Sequence, residues 1–211
     1  MEPRDRILTQ AEALFMRNGI RSVSMDDIAS ALAMSKKTLY KWFENKDQLV
    51  YAVMQNHLQC ETQECEELAN QADSAVAELF SMMDWLRSQF TDVPPGIFFD
   101  LQKFYPESWA LWVKHKYSTM LRQISDNLTR GIREGLFRAD LDVPVLARLR
   151  LAEIELAFDA EHFPPRQFDP QHTTLVLLEH FMIGVATLRG YELIQQFRQA
   201  AGVAVASNGR Q

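Results

Sequence analysis

The chain has 211 residues, 22 basic against 28 acidic, and a formal net charge of −6; at 47% apolar and 24% charged its composition is that of an ordinary globular protein. No stretch approaches the roughly eighteen consecutive apolar residues of a membrane span, and the start Met1-Glu2-Pro3-Arg4 lacks the apolar core of a secretory signal. Two cysteines cannot build a disulfide framework, so a cytoplasmic protein with no membrane partner is expected.

Charge is unevenly spread. Residues 1–50 hold eight Lys/Arg and seven Asp/Glu, residues 51–211 hold 14 and 21, and the window 35–46 holds four lysines and one acid. A basic edge on an acidic body is compatible with a modular DNA binder, though charge alone does not decide it.

The periodicity is helical throughout. Ile7, Ala11, Leu14 and Phe15 share one face of a first helix, which Asn18-Gly19 ends. Ser24, with Asp27 three residues on, has the pattern of a capping box opening a second helix buried through Ile28, Ala29 and Leu32. Ser35 caps a short third helix through Leu39, Tyr40 and Phe43. Asn45 then opens a fourth that carries Leu49, Val50, Val53 and Met54 toward residue 69. The second and third are too short to stand alone in water, so they must pack on their neighbours as a helix-turn-helix.

Five further helices follow. Val76, Leu79, Phe80, Met83, Leu86 and Phe90 mark the first, stopped at Pro94-Pro95-Gly96, and a short one runs from Ile97 to Phe104. Pro106 opens a long one whose stripe is Trp109, Val113, Tyr117, Leu121, Ile124, Leu128 and Ile132. Another spans about 143–159, and the last runs unbroken from Gln171 to about Gln199. The tail 201–211 is expected to be disordered. No period-2 alternation suggests a strand. The predicted fold is all-α with about nine helices, divided into a head of residues 1–46 and a body of 47–200.

Lys36 and Lys37 fall in the first turn of the third helix and Lys46 in that of the fourth, where the helix dipole disfavours cations. Three lysines set against a dipole point to an external anion such as phosphate, or else to a solvated face. In the body, abundant aromatic and thioether side chains either fill the core or line a ligand site, with Asp84, His115, Glu153 and Glu155 near the apolar stripes. His57, Cys60, Glu61 and Glu64 share a helix face and have the residue types of a soft-metal site; an exposed polar face is expected there instead. No zinc-protease, nucleophile-elbow or glycine-rich phosphate motif occurs, so neither an enzyme nor a cofactor is expected.

The run Ile28-Ala29-Ser30-Ala31-Leu32-Ala33-Met34-Ser35-Lys36-Lys37-Thr38-Leu39-Tyr40-Lys41-Trp42-Phe43-Glu44-Asn45-Lys46-Asp47-Gln48-Leu49 resembles the signature of the TetR family of bacterial regulators. Gly131-Ile132-Arg133-Glu134-Gly135-Leu136-Phe137-Arg138 is similar to the end of a long regulatory-domain helix in that family. The resemblance implies a three-helix DNA-binding head whose recognition helix, Ser35–Trp42, enters the major groove. Lys37, Thr38 and Tyr40 would meet bases or phosphates, Lys36, Lys41, Trp42 and Lys46 mainly phosphates, and Ser24 and Met25 would cap the preceding helix and touch phosphate. Leu39 and Phe43 would be core. Ala33 stands where the family has a turn glycine, so the turn must avoid positive φ or carry strain.

The resemblance further implies a palindromic double-stranded DNA operator, a homodimer and a small apolar or aromatic effector. Ligand candidates are Phe80, Met83, Asp84, Trp109, Trp112, His115, Tyr117, Glu153 and Phe158, with the acids favouring a cation as the alternative. The last two long helices are apolar on two sides and so need two partners, one of them the twin chain; Val145, Leu149, Leu178, Met182, Ile183 and Gly184 are the interface candidates. The expected function is ligand-responsive transcriptional regulation, as a repressor. The rivals are a regulator of the same fold answering to a protein partner and, more remotely, a helical metalloenzyme.

Overall fold

The computed structural model describes residues 2–89, 97–164 and 166–200, and every regular element among them is a helix. The stop at Pro94-Pro95-Gly96, Phe90 at the end of its stripe and the tail 201–211 lie outside the described residues. Among those described, no helix is long and apolar enough to cross a membrane.

The first three helices are α1 (Pro3–Asn18), α2 (Met25–Ala31) and α3 (Lys36–Tyr40). The expected caps form: Ser24 Oγ accepts from the Asp27 amide while Asp27 reaches back to the Ser24 amide, and the side chains of Ser35 and Asn45 accept from the amides of Thr38 and Gln48. α4 (Lys46–Gln71) belongs to two regions at once. Its first turns, through Leu49, Val50 and Val53, complete a core with Ile7, Ala11, Phe15, Ile28 and Leu39, and Leu101 and Tyr105 of the body join that core.

The body continues through α5 (Ala75–Gln89), α6 (Ile97–Phe104) and α7 (Pro106–His115), then a π-helical stretch (Lys116–Met120) and α8 (Leu121–Arg133). α9 (Val143–Leu156), α10 (Pro170–Val185) and α11 (Leu188–Ala200) complete it around a second core that includes Val76, Met83, Leu128, Phe137, Leu178, Met182 and Ile194.

Two expectations are corrected here. The stripe from Pro106 onward is interrupted by the π-helical stretch. The last helix is not one rod, because Ala186 is extended and the chain resumes helix only at Leu188. Groups at this break bond the loop after α8: the Arg138 amide donates to the Val185 carbonyl (3.0 Å) and the Thr187 amide to the Leu136 carbonyl (2.9 Å). Close approach needs glycine, since a Cβ at Gly190 would sit 2.0 Å from the Leu136 oxygen. α8 ends in a Schellman turn, with Gly135 at φ +71 and the Leu136 amide bonded to the Gly131 carbonyl at 2.9 Å. Gly131 leaves room for the Phe137 ring, which a Cβ there would meet at 2.0 Å.

Candidate nucleic-acid interface and ligand cavity

α2 closes in the same Schellman geometry, the Met34 amide donating to the Ala29 carbonyl (2.9 Å) and the Ala33 amide to that of Ser30 (3.0 Å). The pivotal residue is Ala33 at φ +49, so the strained alternative holds. Beyond it, buried Leu39 and Phe43 fix the inner side of α3 and the segment that follows. Ser35, Lys36, Lys37, Thr38, Tyr40, Lys41 and Trp42 are all exposed, with Tyr40 and Trp42 at 46% and 43%. Tyr40 and Trp42 thus stand open among the lysines of one exposed face.

The three lysines set against helix dipoles differ in their surroundings. Lys36 is ion-paired with Asp26, which holds its ammonium above the ordinary lysine value. Lys46 is half-buried and donates to the Arg21 carbonyl at 3.2 Å, and burial pulls its ammonium down. Among the described residues Lys37 and Lys41 have no ion-pair partner, so the expectation of an outside anion rests chiefly on these two. Ser24 is exposed and engaged with Asp27, whose carboxyl its hydroxyl and amide hold low. Met25, expected at a phosphate, instead buries its side chain in the head core, because the capping box turns the first residue of α2 inward.

Between head and body lies a cavity of about 220 Å³. Its wall is mostly apolar and draws on α1 (Phe15, Met16), α4 (Val53, Met54), the body helices through Trp85, Phe98, Trp112 and Ile124, and α10 at Leu178 and Phe181. Of the nine ligand candidates, Trp112 and Phe158 line it. Phe80 stacks on Phe197 with centroids 4.9 Å apart, and Met83 lies in the second core. Asp84 faces solvent and pairs with Arg87 at 2.8 Å. Trp109 packs against the head core, and His115 sits beside Trp112 behind the wall, where burial lowers its pKa. Glu153 is buried as the partner of Arg150 at 3.3 Å. Tyr117 is 55% exposed, because the π-helical stretch rotates the stripe and turns Lys116 inward instead, onto Glu155 at 2.7 Å.

The polar lining comes from residues outside the expected ligand set: Glu12, His57, Glu61, Glu78, Gln123, Asn127 and Arg150. His57 and Glu61 belong to the face expected to be exposed, and that expectation is corrected. Both continue the stripe Val50, Met54, and this is the available signal: charged residues on a buried stripe. His57 Nδ1 lies 2.7 Å from Glu12 Oε1. Burial opposes the imidazolium, but that bond and the charges of Glu61, Glu12 and Glu64 outweigh it, so the His57 pKa lies above the ordinary value. Cys60 is exposed, Glu64 accepts from Trp85 Nε1 at 2.6 Å, and among the described residues no group of three ligating side chains could hold a metal ion. Burial pushes the Cys65 thiol up to about 12, which makes it inert.

The interface candidates divide. Val145 (58%), Leu149 (49%) and Ile183 (40%) are exposed, Val176 stands open beside them, and Gly184 has nothing near its Cβ position. Leu178 and Met182 are 1% exposed and belong to the chain's own core, since the inward face of α10 covers the cavity and the second core.

Comparison with known proteins agrees with this geometry. Residues 7–53 match the family described as bacterial regulatory proteins, tetR family. The chain is 25% identical over 172 residues to the uncharacterized HTH-type transcriptional regulator YvaF of Bacillus subtilis (strain 168), covering 77% of this chain and 85% of that protein. It is 24% identical over 162 residues to the HTH-type transcriptional repressor KstR2 of Mycolicibacterium smegmatis, covering 69% and 72%. Among solved structures, a transcriptional regulator from Saccharomonospora viridis in complex with choline superposes with a TM-score of 0.72 at 20% identity, covering 87% of this chain and 97% of that one. KstR2 of Mycobacterium tuberculosis gives 0.59 at 18%, covering 88% and 96%.

A capped helix-turn-helix with an exposed basic and aromatic face, set on a helical body, is the architecture of a DNA-binding transcriptional regulator. Residues 7–53 thus match the TetR family, and the chain as a whole is similar in fold to transcriptional regulators.

Proposed function

We propose that this protein is a ligand-responsive repressor that binds a palindromic operator as a homodimer, with a head of residues 1–46 and a regulatory, dimer-forming body of 47–200. The observation that carries the ligand reading is the make-up of the cavity wall. Glu12, Phe15, Met16 and Ile20 come from the head and the rest from the body, so an occupant would touch both. A molecule preferring one placement of α1 over another shifts the population of heads able to meet DNA, and only such a difference in affinity can act as a switch. The same cavity favours a small effector over the protein-partner rival. Repression is supported by the name of the relative KstR2, and a small effector by the choline complex of the fold neighbour. The exposed apolar strip of α9 and α10 supports the homodimer.

Lys37, Lys41, Tyr40 and Trp42 are the residues proposed to meet DNA. Selecting bound fragments from genomic DNA tests the first half of the reading. Lys37→Ala or Lys41→Ala should flatten the salt dependence of binding to a selected fragment by about 0.9 for each phosphate left unneutralised. A salt slope unchanged in both variants would remove the assigned face. The second half is tested by screening small molecules for a rise in melting temperature and then for release of that fragment. A stabilising molecule that leaves DNA affinity unchanged would mean the cavity is not a switch.

A further inference from the structure

The charges of the cavity wall pair off with one left over. His57 takes Glu12 at 2.7 Å, Arg150 takes Glu153 at 3.3 Å, and Glu78 faces Arg130 at 3.4 Å. Glu61 remains. Its side chain is 13% exposed, and it lines the cavity. Among the described residues it accepts no hydrogen bond. Its one ion-pair contact there, His57 Nε2, stands 4.0 Å away, beyond hydrogen-bonding reach. A buried carboxylate ordinarily gathers several donors or gives up its charge. Here burial does push the Glu61 carboxyl upward, with Glu64 adding to the effect and His57 opposing it. Around this pole the wall is apolar and carries Trp85 and Trp112, and indole faces attract cations.

We infer that the occupant of this cavity is an organic cation, an ammonium or quaternary ammonium group on an apolar or aromatic body, with its charge seated at Glu61. The inference rests on the ligand-binding reading above and adds the sign and seat of the charge. A neutral apolar occupant would enclose Glu61 still further with no partner. An anion would meet three wall carboxylates, while Arg150 already has Glu153 and lies over the Phe181 ring at 5.9 Å.

Three probes of nearly one shape separate these cases: benzyltrimethylammonium, its uncharged carbon isostere neopentylbenzene, and phenylmethanesulfonate. Their binding to the full-length protein is read by calorimetry and by tryptophan fluorescence. The cation should bind at least about tenfold more tightly than either of the others. Glu61→Gln should abolish that margin, as expected for loss of one buried charge pair, and leave the neutral probe within about twofold. Glu61→Met serves as a second variant if the first melts early. Equal binding of all three probes, or a preference for the anion, overturns the inference while leaving a ligand cavity in place. A cation preference that survives both substitutions overturns the seat at Glu61. Binding of none overturns the inference, and the ligand reading then stands or falls on the wider melting screen.

Discussion

The same turn is built twice in this chain, with alanine at its pivot in one copy and glycine in the other. Ala33 closes α2 at φ +49 and Gly135 closes α8 at φ +71, both in Schellman geometry. An L-residue in the left-handed region costs about 1–2 kcal/mol. Glycine avoids that but loses about 0.4–1 kcal/mol more backbone freedom on folding. Ala33→Gly should therefore stabilise the protein by roughly 0.5–1 kcal/mol, and Gly135→Ala should cost about as much. The second site has room for the methyl, since a Cβ at Gly135 meets nothing nearer than Arg189 Nη1 at 3.9 Å. At this chain length each kcal/mol moves the melting temperature by about 2–4 °C. Urea titration of both single variants and the double variant is the assay, with the double near wild type because the turns lie in separate cores. Destabilisation by Ala33→Gly would refute the claim that Ala33 is strained.

Three further outcomes follow from geometry on other elements. Glu61→Gln should raise stability increasingly with pH. The folded Glu61 pKa is raised, so its contribution is present below about 4.5 and lost as pH rises through the folded value. His57, also raised, loses its own contribution on the way up, and that contribution is smaller in the variant because the Glu61 charge is one of its causes. Melting curves should nearly coincide around pH 4 and separate by pH 8, and a gap that shrinks with pH would contradict this. Leu149→Arg or Ile183→Arg should give folded monomers by sedimentation, whereas Leu178→Arg should unfold the chain by burying an unpaired charge. Gly131→Ala should cost about 1–3 kcal/mol by overpacking, because the Phe137 ring must leave. A cost below about 0.5 kcal/mol in denaturant would show that the ring gives way freely.

Local chemistry writes the head plainly. Ser24, Asp27, Ser35 and Asn45 are caps whose partners lie within four residues, so spacing alone places them. The cavity is not legible in the same way, because its wall joins residues as distant as Phe15 and Phe181, and adjacency of that kind leaves no local trace. Aromaticity leads to Trp112 and Phe158, but Phe80 and Met83, equally apolar, go to the core. His57 and Glu61 defeat any reading that equates polarity with exposure, although their position on the Val50 stripe argues for burial. Leu178 and Met182 sit on one apolar side of a helix that has two, and periodicity does not say which side the chain itself covers. The break at Ala186 depends on a carbonyl about 50 residues away, Leu136, which no window of sequence contains.

The π-helical stretch Lys116–Met120 also bears on which changes of length this chain can absorb. A π turn is one residue longer than the α turn it replaces, and each helical residue turns the chain by about 100°. Deleting Tyr117 would let α7 and α8 join as a plain α-helix, and because the shorter α turn still closes one full turn, the faces on either side would keep their bearing. Trp112 and Ile124 would then stand eleven helical residues apart, about three full turns, and still face the cavity together. Exposed Tyr117 can therefore be removed as well as replaced, whereas losing one residue from the α-helical part of α7 or α8 would turn the faces beyond it by about 100°.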